Sequence, residues 1–276
     1  DQGLASFDEK NETFYTYKKN TDKYSICDDN VINLYQDNLG VIWVGTFGGV
    51  SKFFPNNDFR VYRNDPTDNN SLSSSSVCGI YEDDEGNVWI GTFNAGVNKV
   101  SENEVTRFFN DVNESNSLSS NRIKDITGIG NEIWIATDNG LNKYDKATGR
   151  FTVYKKTEDE NSVINNEIRV LHIDKDGILW IGTRGGISTL DRQGKFTSYN
   201  EVLEKNGVYE KTVSAIYEDS EGIMWFGLGN DGGLVKYNKE TGEVKNYLSD
   251  DNKNSLSFNN VRSISEDSSG NIWIGT

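Results

Sequence analysis

The sequence predicts an all-β fold: a six-bladed β-propeller of four-stranded blades, closed by a two-plus-two strand clasp between the N- and C-termini. Three observations predict it. Six tryptophans stand at 43, 89, 134, 180, 225 and 273, always 45–48 residues apart. Each sits in one phrase, as in Val41-Ile-Trp-Val-Gly-Thr46, Asn87-Val-Trp-Ile-Gly-Thr92 and Ile178-Leu-Trp-Ile-Gly-Thr183. Around each phrase lie four short apolar runs separated by Gly, Asp and Asn clusters. A fixed period of this length points to propellers or helical arrays. No segment holds a 3.6-residue period long enough for a substantial helix, which removes the helical arrays.

The elements follow in order along the fourth repeat. Ile168–Asp174 is a short apolar run, the first strand. Lys175-Asp-Gly177 is a tight turn, and Ile178–Thr183 is the second strand. Arg184-Gly-Gly186 turns again into a third strand over Ile187–Leu190. Arg192-Gln-Gly194 then leads to a fourth over Lys195–Tyr199. Short runs joined by such turns read as a hairpin meander. Glu201–Tyr209 is the one helical candidate, a turn or two inside a connecting loop. A lone blade buries neither face, whereas stacked blades bury both, so the first two strands are apolar throughout rather than alternating. The Trp of the second strand is expected to fill space between neighbouring blades. The Gly two residues later is Ala136 in the third repeat, which predicts close backbone approach rather than a positive φ.

Closure comes from the ends. Asp1–Asp8 matches Asp138–Asp145, a third strand, and Phe14–Tyr17 reads as a fourth. The last second strand ends at Thr276. Joining the ends sets Trp273 and Trp43 46 residues apart, in register with the rest. The chain is therefore read as a single domain, 1–276, with the last blade shared by residues 1–20 and 260–276. The alternative is a six-unit stretch of a longer array. The first residue is Asp1 rather than Met, so a domain taken from a longer protein is expected.

The phrase strand–Glu-Asp-x-x-Gly-x-Ile/Val-Trp-Ile-Gly-Thr-x-x-Gly-Gly resembles the two-component regulator propeller repeat. So does the upstream Ser-Leu-Ser-x-Asn element, seen at Ser71-Leu-Ser73, Ser117–Asn121 and Ser255–Asn259. The likeness covers all six units. The third lacks the Glu-Asp pair, having Thr127-Gly-Ile-Gly130, and the fifth ends Gly227-Leu228. The resemblance implies an extracytoplasmic sensor region of a membrane-anchored signalling protein. In that family a β-sandwich module, a transmembrane helix, and a kinase or cyclase follow. Seven or more blades are common there.

Composition excludes several classes. A formal net charge of −15 disfavours DNA, RNA and anionic membranes as partners. No run of 18 apolar residues occurs, two Cys make no disulfide scaffold, and one His excludes a multi-histidine metal site. No cofactor is expected. Asp37, Asp83, Asp174, Asp219 and Asp267 each precede a Gly by three residues. They read as hairpin turns in which Asp accepts backbone N–H bonds, since a calcium loop needs a distant bidentate Glu that is missing. His172 reads as a satisfied structural side chain. Cys27 and Cys78 read as inert thiols, with a disulfide as the alternative.

Specificity is expected where the repeat breaks. The loops after the second strand and before the first share one end of each blade, the mouth of a propeller tunnel. The positions there read Phe47, Phe93, Asp138, Arg184, Gly229 and Asp1, and Ile32, Cys78, Lys124, Arg169, Ser214 and Arg262. The candidate ligand-binding residues are Arg184, Arg169, Arg262, Lys124, Phe47, Phe93 and Asp138. Arginines clamp carboxylates or phosphates bidentately, and aromatic faces stack on sugars. The expected function is non-catalytic binding of a small molecule such as an oligosaccharide, relayed to a downstream signalling module of the same parent chain. A protein-interaction scaffold is the alternative, and a lyase or sialidase-like enzyme the weaker one.

Overall fold

The computed structural model describes residues 3–8, 11–22, 25–53, 59–102, 104–250 and 254–276. Asp1, one of the loop positions above, lies outside them. Each repeat folds as an antiparallel meander. At the start, β1 (Leu4–Asp8) and β2 (Thr13–Tyr17) pair as a two-stranded sheet. The first four-stranded sheet is β3 (Val31–Gln36), β4 (Ile42–Thr46), β5 (Gly49–Phe53) and β6 (Phe59–Tyr62). The second is β7 (Val77–Glu82), β8 (Val88–Thr92), β9 (Val97–Ser101) and β10 (Glu104–Phe108). The third is β11 (Ile123–Ile129), β12 (Glu132–Thr137), β13 (Gly140–Asp145) and β14 (Arg150–Tyr154). The fourth is β15 (Ile168–Ile173), β16 (Leu179–Thr183), β17 (Gly186–Leu190) and β18 (Phe196–Ser198). The helical candidate forms α1 (Asn200–Lys205), which buries Leu203. The fifth sheet is β19 (Val213–Glu218), β20 (Ile223–Leu228), β21 (Gly233–Asn238) and β22 (Val244–Tyr247). The pair β23 (Ser263–Glu266) and β24 (Ile272–Gly275) ends the chain. The all-β propeller repeat is thus present with the strand order expected. The repeat register assigns β1–β2 and β23–β24 to one blade. Here they are two separate two-stranded sheets, and their union in a clasp stays an expectation of the register.

The chain divides into two compact units, residues 1–132 with 145–151, and residues 133–144 with 152–276. In the first, Trp43 of β4 packs on Val77, Ile80 and Ile90 of the following sheet. In the second, Trp180 of β16 packs on Val213, Phe226 and Tyr237 of the following sheet, its ring 5.6 Å from that of Phe226. The tryptophan therefore joins one blade to the next, as its size suggests. Trp273, on the two-stranded β23–β24, is the exception at 66% exposed.

The repeated Asp does more than shape a turn. Asp174 Oδ1 accepts the backbone N–H groups of Asp176 and Ile178, and Gly177 takes φ +76°. Its Oδ2 accepts the Trp180 indole N–H at 2.8 Å. The same indole bond recurs from Trp43 to Asp37, Trp89 to Asp83, Trp225 to Asp219 and Trp273 to Asp267. A large apolar side chain is buried without stranding its one donor. Where Glu precedes the Asp, as in three of the five, it reaches across to the preceding blade: Glu82 Oε2 accepts Asn38 N–H, Glu218 that of Lys175, and Glu266 that of Ser220. The Glu-Asp pair is thus a blade-to-blade latch. The Gly of the second strand sits where backbone and neighbouring side chains approach closely, as expected. A Cβ on Gly182 would lie 2.5 Å from Val170 Cγ1, and one on Gly91 2.6 Å from Ile123 Cγ2. Neither has a positive φ.

Candidate functional site

The seven candidate residues fall in both units. Phe47, Phe93 and Lys124 belong to the first. Asp138, Arg169, Arg184 and Arg262 belong to the second. Phe47 and Phe93 follow β4 and β8, and their ring centroids lie 5.8 Å apart at 34°. Both are partly exposed, at 49% and 36%. Lys124 is the second residue of β11 and Asp138 follows β12.

In the second unit, Arg169, Arg184 and Arg262 line one cavity of about 350 Å³, together with Thr212, Ser214 and Asn230. The strands explain the meeting. Arg169 is the second residue of β15, Arg184 follows β16, and Arg262 precedes β23. Antiparallel pairing sets the start of each first strand beside the end of each second strand, with Ile168 opposite Thr183 and Val213 opposite Leu228. The loops of successive blades therefore open at the same end.

One acid organises two of the arginines. Glu167 Oε1 lies 3.3 Å from Nη1 of Arg169, and its Oε2 lies 3.3 Å from Nη1 of Arg184. The Arg169 Nε–H is buried and has no partner among the described residues. Among those residues the Arg262 guanidinium also has neither a hydrogen bond nor an ion pair. Beside the lining residues Thr212 and Asn230, Glu210 Oε1 accepts Thr212 N–H at 2.7 Å and Asn230 Nδ2 at 3.2 Å. Burial alone would raise the Glu210 carboxyl, but these hydrogen bonds outweigh it and hold it below the usual range.

Asn230 was not among the candidates, and a sequence signal for it existed. In intact repeats the Thr closing the second strand ties the next turn: Thr183 Oγ1 donates to Gly186 O and accepts Gly185 N–H. The fifth repeat has Leu228 instead and a loop longer by two residues than the fourth, Gly229-Asn-Asp-Gly232. Asn230 and Asp231 sit there at φ +46° and +66°. Left-handed backbone is unusual outside Gly, though Asn and Asp tolerate it best. The departure that looks like drift in the repeat builds one wall of the cavity.

The other expected side chains are placed as follows. Cys27 and Cys78 are free thiols. Burial pushes the Cys78 thiol up to about 12, and it donates to Ile123 O. His172 is not satisfied as expected: its Nε2 is buried with no partner among the described residues. Burial lowers its pKa, opposed by Glu218 and Asp174 and aided by Lys239. None of these groups lines the cavity. No group of His, Cys, Asp and Glu among the described residues has the arrangement to hold a metal ion.

The two component regulator propeller family matches residues 25–48, 71–94, 162–185, 210–230 and 255–276. Among solved structures, the extracellular domain of a hybrid two component system from B. thetaiotaomicron is similar at 24% identity and TM-score 0.67, over 90% of this chain. A second such domain from the same organism is similar at 22% identity and TM-score 0.61, over 94% of this chain. This chain spans 38% of the length of each. A streptogramin B lyase is similar at 16% identity and TM-score 0.68, over 99% of this chain and 83% of the lyase. These likenesses show the propeller fold. No curated protein sequence matches the chain.

Proposed function

Since the chain is built of two component regulator propeller repeats, we propose that it is the extracytoplasmic sensor region of a membrane-anchored signalling protein. It binds a small solute, such as a glycan, and does so without catalysis. The observation that carries this reading is the cavity of the second unit. Residues that break the repeat converge there, while residues that keep it are occupied in joining blades. The similarity to extracellular domains of hybrid two component systems supports the setting. No helix among the described residues is long and apolar enough to cross a membrane. Phe47 and Phe93 give the first unit an aromatic face of the kind that stacks on sugars; Lys124 is a further polar candidate in that unit, and Asp138 a separate one in the second.

The cavity offers hydrogen-bond donors and a positive charge, which suit binding. The carboxylates beside it, Glu167 and Glu210, are already engaged by Arg169 and Arg184 and by Thr212 and Asn230, and the half-buried His172 lines no part of it. Ligand binding would favour one arrangement of the sensor against its downstream module, shifting an existing equilibrium. A thermal-shift screen of oligosaccharides and organic acids tests the reading. At least one is expected to raise the melting temperature, and Arg169→Ala with Arg184→Ala is expected to abolish that rise. A rise that survives both substitutions contradicts the assignment.

A second reading, a protein-docking scaffold, has one observation in its favour. The β1–β2 hairpin exposes Phe7, Phe14 and Tyr15 at 50%, 69% and 51%. Self-association in sedimentation that is lost on Phe14→Ser would favour it. A monomer at all concentrations would count against it.

A further inference from the structure

We infer that the cavity of the second unit recognises a single carboxylate, and that its ligand is an acidic saccharide or a comparable hydroxy acid. This rests on the cavity being the binding site and adds the chemical class of what enters it.

Charge gives the first argument. Three guanidinium groups line the cavity, and two carboxylates bond to lining residues from beside it: Glu167 to Arg169 and Arg184, and Glu210 to Thr212 and Asn230. The balance is one uncompensated positive charge inside a chain whose formal net charge is −15. One positive charge matches a carboxylate. A phosphate dianion would remain half unpaired, with Glu167 and Glu210 close to the lining residues.

Unfilled donors give the second. Glu167 takes only one nitrogen from each of Arg169 and Arg184. The Arg169 Nε–H is buried and unpaired among the described residues, and the Arg262 fork is free among them. A buried donor without a partner is unfavourable unless a ligand supplies the acceptor. A planar carboxylate presents two acceptor oxygens that match a guanidinium edge. Glu167 orients Arg169 and Arg184 toward one another through one nitrogen of each.

The remaining wall gives the third. Ser214 Oγ shares its one proton between the carbonyls of Gly227 and Val261 and keeps lone pairs to accept with. Thr212 Oγ1 accepts from Asn230 Nδ2 and also bonds the Glu210 carboxylate, which holds the Asn230 amide at the cavity. Hydroxyl-bearing ligands supply and accept such bonds. The volume, about 350 Å³, falls within the range of small-ligand sites.

The test titrates the chain calorimetrically with galacturonate, glucuronate and their di- and trimers, each beside its uncharged methyl ester, and with inorganic phosphate. At least one acid is expected to bind, with its ester about tenfold or more weaker. Arg262→Ala and Arg169→Ala are each expected to weaken the acid by about tenfold or more and to leave the ester unchanged. Arg262→Lys should restore part of the loss, because charge returns without the fork. Circular dichroism on each variant confirms that the fold is retained. Equal binding of acid and ester, lost on Asn230→Ala, would overturn the carboxylate inference and leave the cavity as the site. Tighter binding of phosphate than of any acid would overturn the single-charge argument. Binding unaffected by both arginine variants, or no binding by any compound, would overturn the inference and the cavity together.

Discussion

At the scale of single residues, the repeated aspartate is where sequence pattern and energetics meet. Asp174 is buried, accepts two backbone N–H groups and one indole N–H, and lies 3.1 Å from Lys239 Nζ. Burial would raise its carboxyl, but these partners outweigh it and lower it. Asp174→Ala strands all of them, and urea unfolding should show a loss of about 3 kcal/mol. Asp267 makes the same indole bond on an exposed turn. Asp267→Ala should therefore shift the urea midpoint far less, and equal shifts would refute the burial argument. The sequence already showed the Asp three residues before Gly. It also held the constant six-residue step from Asp to Trp, which identifies the indole as the third hydrogen-bond donor, but hairpin chemistry alone explains the Asp and hides that step. His172 is the opposite case. Nothing in its neighbours along the chain says that Nε2 ends buried without a partner, because that depends on the next sheet, which brings Glu218 and Lys239 close.

His172 also predicts a pH dependence. Its pKa in the folded chain lies below the ordinary value of about 6.5, so the unfolded chain binds more protons in the window just beneath that value. Stability is unaffected by this group above that value and falls as pH drops from it toward the lowered pKa. Melting temperatures measured from pH 7.5 down to about 5 should decline. His172→Gln should flatten the decline. An unchanged slope in the variant would mean that other groups produce it.

At the scale of elements, the blade is specified by what its second strand excludes. Gly182 has Val170 and Val213 within 2.5 and 2.8 Å of where a Cβ would stand. Gly45 meets Ile80 and Val77 only at 3.2 Å. Gly182→Ala should cost about 1–3 kcal/mol by overpacking, and Gly45→Ala less, as read from urea midpoints. The reverse order would show that backbone freedom, not space, selects glycine there. Strand order, turn positions and the short helix over Asn200–Lys205 were all legible from the period and its Gly-Asp punctuation. The glutamate latch was not, since its partner lies one blade away and the local pattern makes Glu look like surface charge.

At the scale of the molecule, the repeat and its exceptions divide the work. The repeat supplies Trp, Asp and Glu to join blades, and the exceptions supply Arg169, Arg184, Arg262 and the Gly229–Gly232 loop. The arginines were legible because they occupy equivalent positions with unlike chemistry. The loop was not, because an insertion with Leu228 in place of Thr reads as tolerated variation until its two left-handed residues are placed against the cavity. The two-plus-two clasp rests on the 46-residue step between Trp273 and Trp43.

The central claim is that this propeller binds an acidic solute and leaves it unchanged. Mass spectrometry of the ligand recovered after prolonged incubation with the chain tests it most directly. The account predicts one intact acid per chain, and none from the Arg169→Ala, Arg262→Ala double variant. An unsaturated or cleaved product would make the chain a lyase or hydrolase, and recovery of the acid in equal amounts from the double variant would remove the cavity from the mechanism.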